Sequence, residues 1–501
     1  MRWQPMFGAW ALAASVAASA HDHESLGIVH FPVSCSPEAQ QAFEHGLALL
    51  HHMTYPQARE SFLQVTALDP KCAMAHWGVA MTLFQPLWPT RPGPEARQRG
   101  WDELQAAEKL AAPTERERQY IATAEAFFAE PASEDYWLRI RRWEQASEKL
   151  YRALPDDEDA AAFYALAHLA VVPPNVISRK NADESAAILL GIYRKNPDHP
   201  GAMHYLVHAN DVPGREHEEL EITNKYEDAA PDNPHALHMP THIYTRLGDW
   251  DGVIRGNLLA ANAALKTPAG EHGELVWDEF PHAIEYLVYA YLQKGDYDDA
   301  RAQRDRLWGT DNLEPSFKTA FHLSSTRARY ALERQDWKEA AAIPVRVPAS
   351  LAWDKFPWAE AISRYARGLG AAHLGQLDAA RDESRHLAEL DANASKAGEE
   401  LFARNIRVLR LEVDAWTAQA QGKADASVAL MQEAADLETS TPKHPVTPAP
   451  TLPAHELLGD LWMAQQHPDK ALAAYRRSLE LYPNRANSLN GITRAEKAAK
   501  S

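Results

Sequence analysis

Basic residues are scarce in this 501-residue chain, and that scarcity limits its partners. Lys and Arg number 51 against 69 Asp and Glu, which gives a formal net charge of −18, and no basic cluster stands out. Nucleic-acid binding depends on clustered cations that contact phosphates, and anionic lipid surfaces attract the same clusters. We therefore expect neither nucleic acid nor a membrane surface as a partner.

Cysteine is nearly absent as well, since Cys35 and Cys72 are the only two. This excludes a disulfide-rich scaffold, a thiolate metal cluster and a CxxCH haem site. If the protein is exported, a disulfide between the two is chemically permitted. It would stabilise the fold by roughly 3–4 kcal/mol on the loop-entropy argument. Two unpaired thiols near the starts of successive helices are the alternative.

Long apolar runs are missing after residue 20. Residues 1–20 combine Arg2, an apolar run from Met6 to Ala18 and small residues at the end, which is typical of a secretory signal peptide. The mature chain would then begin at His21. Because no later segment approaches the roughly 20 apolar residues of a membrane-spanning helix, we expect an exported protein, periplasmic or secreted, without membrane insertion.

Familiar catalytic motifs are also lacking. His217-Glu218 and His455-Glu456 begin like the zinc motif HExxH, but Glu221 and Gly459 stand where its second histidine is required. The chain contains no GxSxG elbow, Walker loop or GxGxxG. Strand-like alternation is essentially absent too, whereas apolar residues recur at helical spacing. The sequence predicts an all-α fold and does not specify a reaction.

What the sequence does contain is a recurrent spacing of small and aromatic residues. Gly46, Ala58, Phe62 and Pro70 have the spacing of a 34-residue helix-turn-helix unit, and the same pattern returns near the other end. Its members there are Gly459, Ala471, Tyr475 and Pro483. The chain therefore resembles tetratricopeptide repeat proteins. The resemblance implies an α-solenoid, a superhelix of stacked helix pairs with a concave groove.

Turn-forming residues and prolines indicate how the chain is organised. Turns are predicted where a polar pair precedes an aromatic or leucine: Gly248-Asp249-Trp250, Gly295-Asp296-Tyr297, Gln335-Asp336-Trp337 and Gly375-Gln376-Leu377. Residues 85–131 depart from the repeat, with helices resuming near Trp101, and residues 266–278 form an insertion. Five prolines in residues 441–453 predict an extended strap. We divide the chain into a signal peptide (1–20), a solenoid (21–440), the strap (441–453) and a terminal repeat (454–501).

Histidines cluster in the middle of the solenoid. Seven of the 23 lie between His199 and His242, where an even spread would place about two. The pairs His204/His208 and His238/His242 are each four residues apart on helical sequence, and the pairs are separated by one repeat length. Two imidazoles with this spacing project from one helical face and can share a metal ion.

The repeat resemblance implies which side chains face the groove. Three consecutive units present polar residues at groove-facing positions of their first helix: His204, His208 and Asp211; then His235, His238, His242 and Arg246; then His282, Glu285 and Tyr289. The phrases HYLVHANDVP and HALHMPTHIYTRLGDW also resemble those of a group of secreted bacterial tetratricopeptide-like proteins. That resemblance covers the whole mature chain and implies a fold and a site but no reaction.

We therefore predict a divalent transition-metal site, with Zn, Cu or Fe bound by His204, His208, His238, His242 and His282. Glu285, Asp211, Arg246 and Tyr289 are candidate catalytic residues, and His235, Arg246 and Tyr289 are candidate substrate contacts for a small molecule. If one ion is shared, losing His208 or His242 should disable the whole site. Two alternatives stay open. One is a metal-free acid-base site in which Arg246 clamps an anionic substrate; the other is an interaction scaffold that binds peptide in the groove.

Overall fold

The computed structural model describes residues 25–88, 91–270 and 273–500. The predicted signal peptide and His21 lie outside these residues. Within them, no helix is both long enough and apolar enough to cross a membrane.

The described chain is almost entirely helical. In chain order the first helices are α1 (Pro37–His51), α2 (Tyr55–Leu68), α3 (Ala73–Met81), α4 (Pro94–Leu110), α5 (Glu115–Phe128), α6 (Tyr136–Ala153), α7 (Glu158–Ala170), α8 (Arg179–Lys195), α9 (Pro200–Asn210), α10 (Leu220–Ala229), α11 (Pro234–His238), α12 (Pro240–Leu247) and α13 (Trp250–Ala264). After them come α14 (Glu279–Lys294), α15 (Tyr297–Trp308), α16 (Phe317–Glu333), α17 (Trp337–Ala341), α18 (Pro357–His373), α19 (Leu377–Lys396), α20 (Glu400–Ala420), α21 (Ala424–Thr439), α22 (Ala454–Ala464), α23 (Pro468–Leu481) and α24 (Ala486–Ala498), with a 3₁₀ turn at Trp353–Lys355.

Successive helices pack on one another along the chain, which confirms the all-α solenoid. Each of the four predicted turns ends on the first residue of the next helix, at Trp250, Tyr297, Trp337 and Leu377. Asp249 shows why the turn stops one helix and starts another. Its side chain accepts a hydrogen bond from the Gly252 amide and so satisfies a donor at the start of α13.

Three local features differ from the sequence expectation. Helix α4 begins at Pro94, ahead of the predicted Trp101, because a proline is accommodated in the first turn of a helix. The segment around His238 is two helices, α11 and α12, because Pro240 has no amide hydrogen to continue the first. The insertion at 266–278 holds a short antiparallel ribbon of β1 (Pro268–Ala269) and β2 (Leu275–Val276).

The N-terminal helices carry the disulfide. Ser36 caps α1 by accepting from the Ala39 amide, with Pro37 in the first turn as the sequence predicts. Cys35 precedes this cap and is bonded to Cys72, the residue before α3. The bond closes a 37-residue separation that contains α1 and α2.

Residues 441–453 form the predicted non-helical strap, and it contacts groove-facing side chains. Arg329 on α16 donates to the Thr447 hydroxyl at 2.8 Å and to the Pro450 carbonyl at 2.8 Å. At the other end, Lys443 lies 3.3 Å from the Asp211 carboxylate beyond α9. The strap therefore lies along the face of the solenoid that repeat proteins use as a groove.

The terminal repeat packs around one aromatic ring. Tyr475 is fully buried, and a Cβ added at Gly459 or at Gly491 would lie 2.5 Å from its ring. Its hydroxyl donates to Asp460 at 2.6 Å. Leu479, which we expected to bury one turn further along α23, is only half-buried. The ring of Tyr475 therefore packs between α22, α23 and α24.

Replacing Tyr475 by alanine should lower the free energy of unfolding of this repeat by about 3 kcal/mol, as for other large-to-small core changes. Tyr297→Ala is a matched control because Tyr297 is 44% exposed. Amide hydrogen exchange in α22 to α24 measures the effect. Equal protection in the two variants would show that the ring does not hold the repeat together.

Candidate metal centre

The histidines singled out from the sequence lie in two groups of three. His204, His208 and His235 form one, here called the α9 triad; His238, His242 and His282 form the other, here called the α14 triad. Within each group one ligand atom per residue lies within 4.8 Å of the others. The single centre of five histidines expected from the sequence is thus divided in two, because His235 packs against His204 on α9 and His282 packs against His238 on α11.

In the α14 triad two ring nitrogens face each other without a proton to share. The Nε2 atoms of His238 and His242 are 2.9 Å apart. Asn257 donates from its amide to the Val253 carbonyl at 2.8 Å, so its oxygen, 2.6 Å from His238 Nδ1, must accept a proton from that ring. His242 Nδ1 lies 3.1 Å from the Asp211 carboxylate and must donate too. Both Nε2 atoms therefore carry lone pairs.

A chain of hydrogen bonds sets the tautomer of His282 in the same way. His322 on α16 donates from Nδ1 to Glu285 at 2.5 Å, and Glu285 also accepts from Arg329 at 2.9 Å. The other nitrogen of His322 lies 3.0 Å from His282 Nδ1 and accepts its proton. The lone pair of His282 is consequently on Nε2. All three histidines of the triad present the same kind of atom, an unprotonated nitrogen.

Protonation does not relieve the contact between His238 and His242. Burial lowers the pKa of His238 well below its usual value, and the neighbouring His242 lowers it further. The pKa of His242 is lowered by burial as well, although Asp211 opposes the shift. Burial likewise lowers the pKa of His282, with His238 and His322 adding to it. A metal cation bound between the lone pairs resolves their repulsion where a proton does not.

The α9 triad has the same character. His204 donates from Nδ1 to the His51 carbonyl at 2.7 Å, and His235 Nδ1 lies 3.2 Å from the Glu279 carboxylate. Among the described protein atoms, the Nε2 atoms of His204, His208 and His235 are buried and have no hydrogen-bond partner. Buried polar atoms are rarely left unpaired. Three of them converging is the pattern expected of metal ligands.

A third group is more nearly satisfied than the two triads. His51, Asp159 and His199 also lie within ligand distance of one another. His51, however, has Tyr205 at 3.0 Å from one nitrogen and Asp159 at 2.8 Å from the other. His199 accepts from the Ala202 amide and directs its Nε2 at Asp159, 3.4 Å away. Both ring nitrogens of His51 are thus paired, but His199 Nε2 is buried without a hydrogen-bond partner among the described protein atoms. This group has one unpaired ring nitrogen, whereas the α9 triad has three.

Three of the candidate catalytic residues are held in ion pairs near the histidines, and two of them, Asp211 and Arg246, also line a cavity of about 240 Å³. Asp211 lies between His242, Arg246 and Lys443. Burial alone would raise the pKa of Asp211, but Lys443 and Arg246 hold it well below its usual range. Arg246 donates to both the side chain and the carbonyl of Asp211, so the predicted anion clamp is engaged within the protein. Glu285 is tied to His322 and Arg329, one residue removed from the triad.

Tyr289 lies apart from the triads. It packs on Trp250, and its hydroxyl accepts from Arg485 at 3.1 Å. Arg485 in turn binds Glu456 and Glu333. The solenoid thus curls far enough for its terminal repeat to contact α14 and α16. Tyr289 belongs to that internal contact, which is a different role from the substrate contact predicted for it.

Sequence reasoning missed several supporting residues. His322 could have been found from the repeat spacing. It stands six residues before Ala328, a small-residue position of the repeat, and His235 and His282 stand at the same position in their own units. Glu279 and Lys318 could not, because each precedes the first groove-facing position of its helix, which is His282 on α14 and His322 on α16. Lys443 and His444 lie in the strap, where no periodicity applies.

Both triads border one small, partly open cavity of about 40 Å³. Its lining includes His208 and His235 from the α9 triad and His242 and His282 from the α14 triad. A larger cavity of about 240 Å³ lies beside it and shares Trp88 and His208. The larger space is lined by aromatic and aliphatic side chains, among them Tyr136 and Trp137, and by charged ones such as Arg246 and Lys443.

Comparison with known proteins agrees with the architecture. Residues 453–485 match the family model of the tetratricopeptide repeat, so the chain contains a repeat of this family at its C-terminal end. No curated protein matches the chain.

Two solved structures are similar at low scores. One is the APC/C hetero-tetramer Cut9–Hcn1, with a TM-score of 0.39 at 13% identity over 91% of this chain and 76% of that chain. The other is yeast Tom70, with a TM-score of 0.34 at 13% identity over 92% of this chain and 96% of that chain.

Proposed function

We propose that this protein is an exported solenoid that binds a divalent transition metal at the α14 triad. The observation that carries the proposal is the 2.9 Å approach of the His238 and His242 Nε2 atoms while both Nδ1 atoms face acceptors. A metal bonded at about 2.0–2.1 Å to each nitrogen holds any two of them no more than about 4.1 Å apart. Three nitrogens on one tetrahedral ion lie about 3.3–3.4 Å apart, so closing the triad from its 4.8 Å limit needs ring movements of about 1 Å.

The ligand atoms indicate which metals suit the site. All three are neutral imidazole nitrogens, which suit Zn, Cu and Fe. Asp211 contacts the triad only as the hydrogen-bond acceptor of His242, and Glu285 reaches the triad only through His322. Iron sites of the mononuclear type use a carboxylate as a direct ligand. Zn and Cu therefore fit better than Fe.

Three protein ligands leave a coordination position open, as in catalytic rather than structural zinc sites. The small cavity lies beside the triad, so this position would face a space that a substrate or water can enter. An ion there can polarise a bound carbonyl or lower the pKa of a bound water. A metalloenzyme acting on a small molecule is the form of the proposal that this geometry favours. The metal-free acid-base alternative is weaker because Arg246 and Glu285 are already held in ion pairs.

A peptide-binding scaffold remains the alternative function, and the tetratricopeptide match at 453–485 supports it. The strap limits where such a peptide could bind. Between Lys443 and Thr451 the strap already contacts Asp211 and Arg329 on the groove side. A peptide ligand would have to displace the strap or use a different face.

Export is part of the proposal and rests on the composition of residues 1–20. A disulfide between Cys35 and Cys72 is compatible with an oxidising compartment. Peptide sequencing of the mature N-terminus from the producing cell, beginning after residue 20, would support export. An intact Met1 would contradict it.

Metal analysis of protein purified without a histidine tag tests the function. After separate reconstitution with Zn, Cu and Fe and removal of free metal, the wild type should retain metal, and His238→Ala should lose the ion of the α14 triad. His168→Ala is a matched control, because both ring nitrogens of His168 are engaged by Glu144 and Glu184 on the surface. Absence of metal from the wild type under all three conditions would leave the scaffold as the better explanation.

A further inference from the structure

The α9 triad repeats the defining feature of the α14 triad on independent residues. Its three Nε2 atoms are buried and without a hydrogen-bond partner among the described protein atoms. For His204 and His235 the other nitrogen is occupied by a carbonyl and a carboxylate, respectively. This is the outer-shell arrangement that orients a metal-bound histidine and raises its basicity. The triad is therefore built as a ligand set and not as a chance cluster.

The two triads are close enough to act on one bound group. His235 and His238 are on the same short helix, α11, with ring centroids 6.5 Å apart. Side chains of both triads line the cavity of about 40 Å³. One water needs roughly 10–15 Å³ of such volume, so the cavity has room for a water, a hydroxide or a triatomic anion.

The charges around the triads indicate which sign of charge a group bound in the cavity would carry. Each carboxylate that contacts a histidine of the triads or of their hydrogen-bond chain is already paired with a cation. The pairs are Asp211 with Arg246 and Lys443, Glu279 with Lys318, and Glu285 with Arg329. The six imidazoles would be neutral ligands, so they cannot offset the charge of two divalent ions. Uncompensated charge is costly in a buried site, and a small anion in the cavity would offset it.

We infer that the two triads together hold two metal ions as one dinuclear centre, bridged across the small cavity by hydroxide or another small inorganic anion. The inference rests on the proposed function for the α14 triad and adds the α9 triad to it. The centre would take small ligands that approach through the aromatic cavity beside Trp88.

Copper(II) is the probe that separates one ion from two. The untagged full-length protein is loaded with Cu(II), freed of excess metal, and measured for bound copper and for electron paramagnetic resonance intensity. Two bridged Cu(II) ions couple their unpaired electrons, so we expect two coppers per chain and a spin signal far below the copper content. His235→Ala should bind one copper and give a full spin signal. His168→Ala should behave as the wild type.

Each other outcome has a definite meaning. Two coppers with a full spin signal would overturn the bridged centre. So would a single copper that His238→Ala removes and His235→Ala does not, while leaving the proposed function intact. No copper in the wild type, with none of Zn or Fe retained, would overturn both.

A second variant guards against misfolding of His235→Ala. His208 is the partly exposed member of the α9 triad, and its replacement in His208→Gln removes the same ligand position with less disturbance of the core. Circular dichroism should match the wild type, and copper content should fall from two to one. Azide added to the wild type should produce a charge-transfer band that His208→Gln shifts or weakens. Two coppers and an unchanged azide band in His208→Gln would refute the assignment of the α9 triad.

Discussion

Replacing Arg485 by methionine should weaken the docking of the terminal repeat by about 3–5 kcal/mol, the usual cost of removing one partner from a buried ion pair. Arg485 is fully buried and binds Glu456 at 2.8 Å and 3.0 Å, Glu333 at 2.9 Å and the Tyr289 hydroxyl at 3.1 Å. Methionine keeps an apolar stem of similar length. The loss therefore comes from two carboxylates left buried without their cation.

Amide hydrogen exchange along α22 to α24 measures this effect locally, since exchange reports the opening of a single region. The control is Arg477→Met, which removes an ion pair with Glu480 between side chains that are 45% and 64% exposed. Exposed pairs contribute about 0–1 kcal/mol. Similar exchange rates in the two variants would show that Arg485 does not hold the repeat against α14 and α16.

His322→Leu should weaken metal binding by about 10–100-fold, although His322 is not a ligand in our proposal, because outer-shell partners of metal-bound histidines typically contribute that much. The substitution removes the acceptor of the His282 Nδ1 proton. His282 then loses both its orientation and its preference for a lone pair on Nε2. Glu285 keeps its ion pair with Arg329, so the change does not leave that carboxylate unpaired.

Competition with a chromophoric chelator for Zn(II) gives the affinity of each variant. His386→Leu serves as the control, since His386 lies on the surface of α19 beside Asp382 and Glu389. Circular dichroism should be the same for both variants. If the His322→Leu protein holds zinc as tightly as the control, the chain of hydrogen bonds from Arg329 to His282 does not tune a ligand.

The fold was largely accessible from the sequence because solenoids are built from local contacts. Gly459 and Tyr475 stand at consensus spacing, and the structure places the Tyr475 ring against Gly459 where helices approach closely. The Asp249 turn is set by its own side chain. Pro240 divides the helical sequence of His238 and His242 into α11 and α12, and the missing amide of proline makes that division predictable from the sequence.

The site was accessible only in part. The repeat frame brings His204, His208, His238, His242 and His282 to the same face, and the structure places all five in the two triads. The repeat frame does not determine how the histidines are grouped, because ring rotation toward His235 or His322 depends on neighbours from other helices. The repeat frame also does not show that Arg246 is held by Asp211, because two opposite charges on one face can bind either each other or a ligand.

The strap changes how the solenoid would lose its structure. Repeats that touch only their neighbours can unfold from either end, one unit at a time. Here one part of the strap contacts Asp211, just after α9, and another part contacts Arg329 on α16. The strap therefore connects units that are not adjacent. Opening of any unit between them must also release these long-range contacts. The central part of the chain should therefore unfold as one cooperative block, with the histidines inside it.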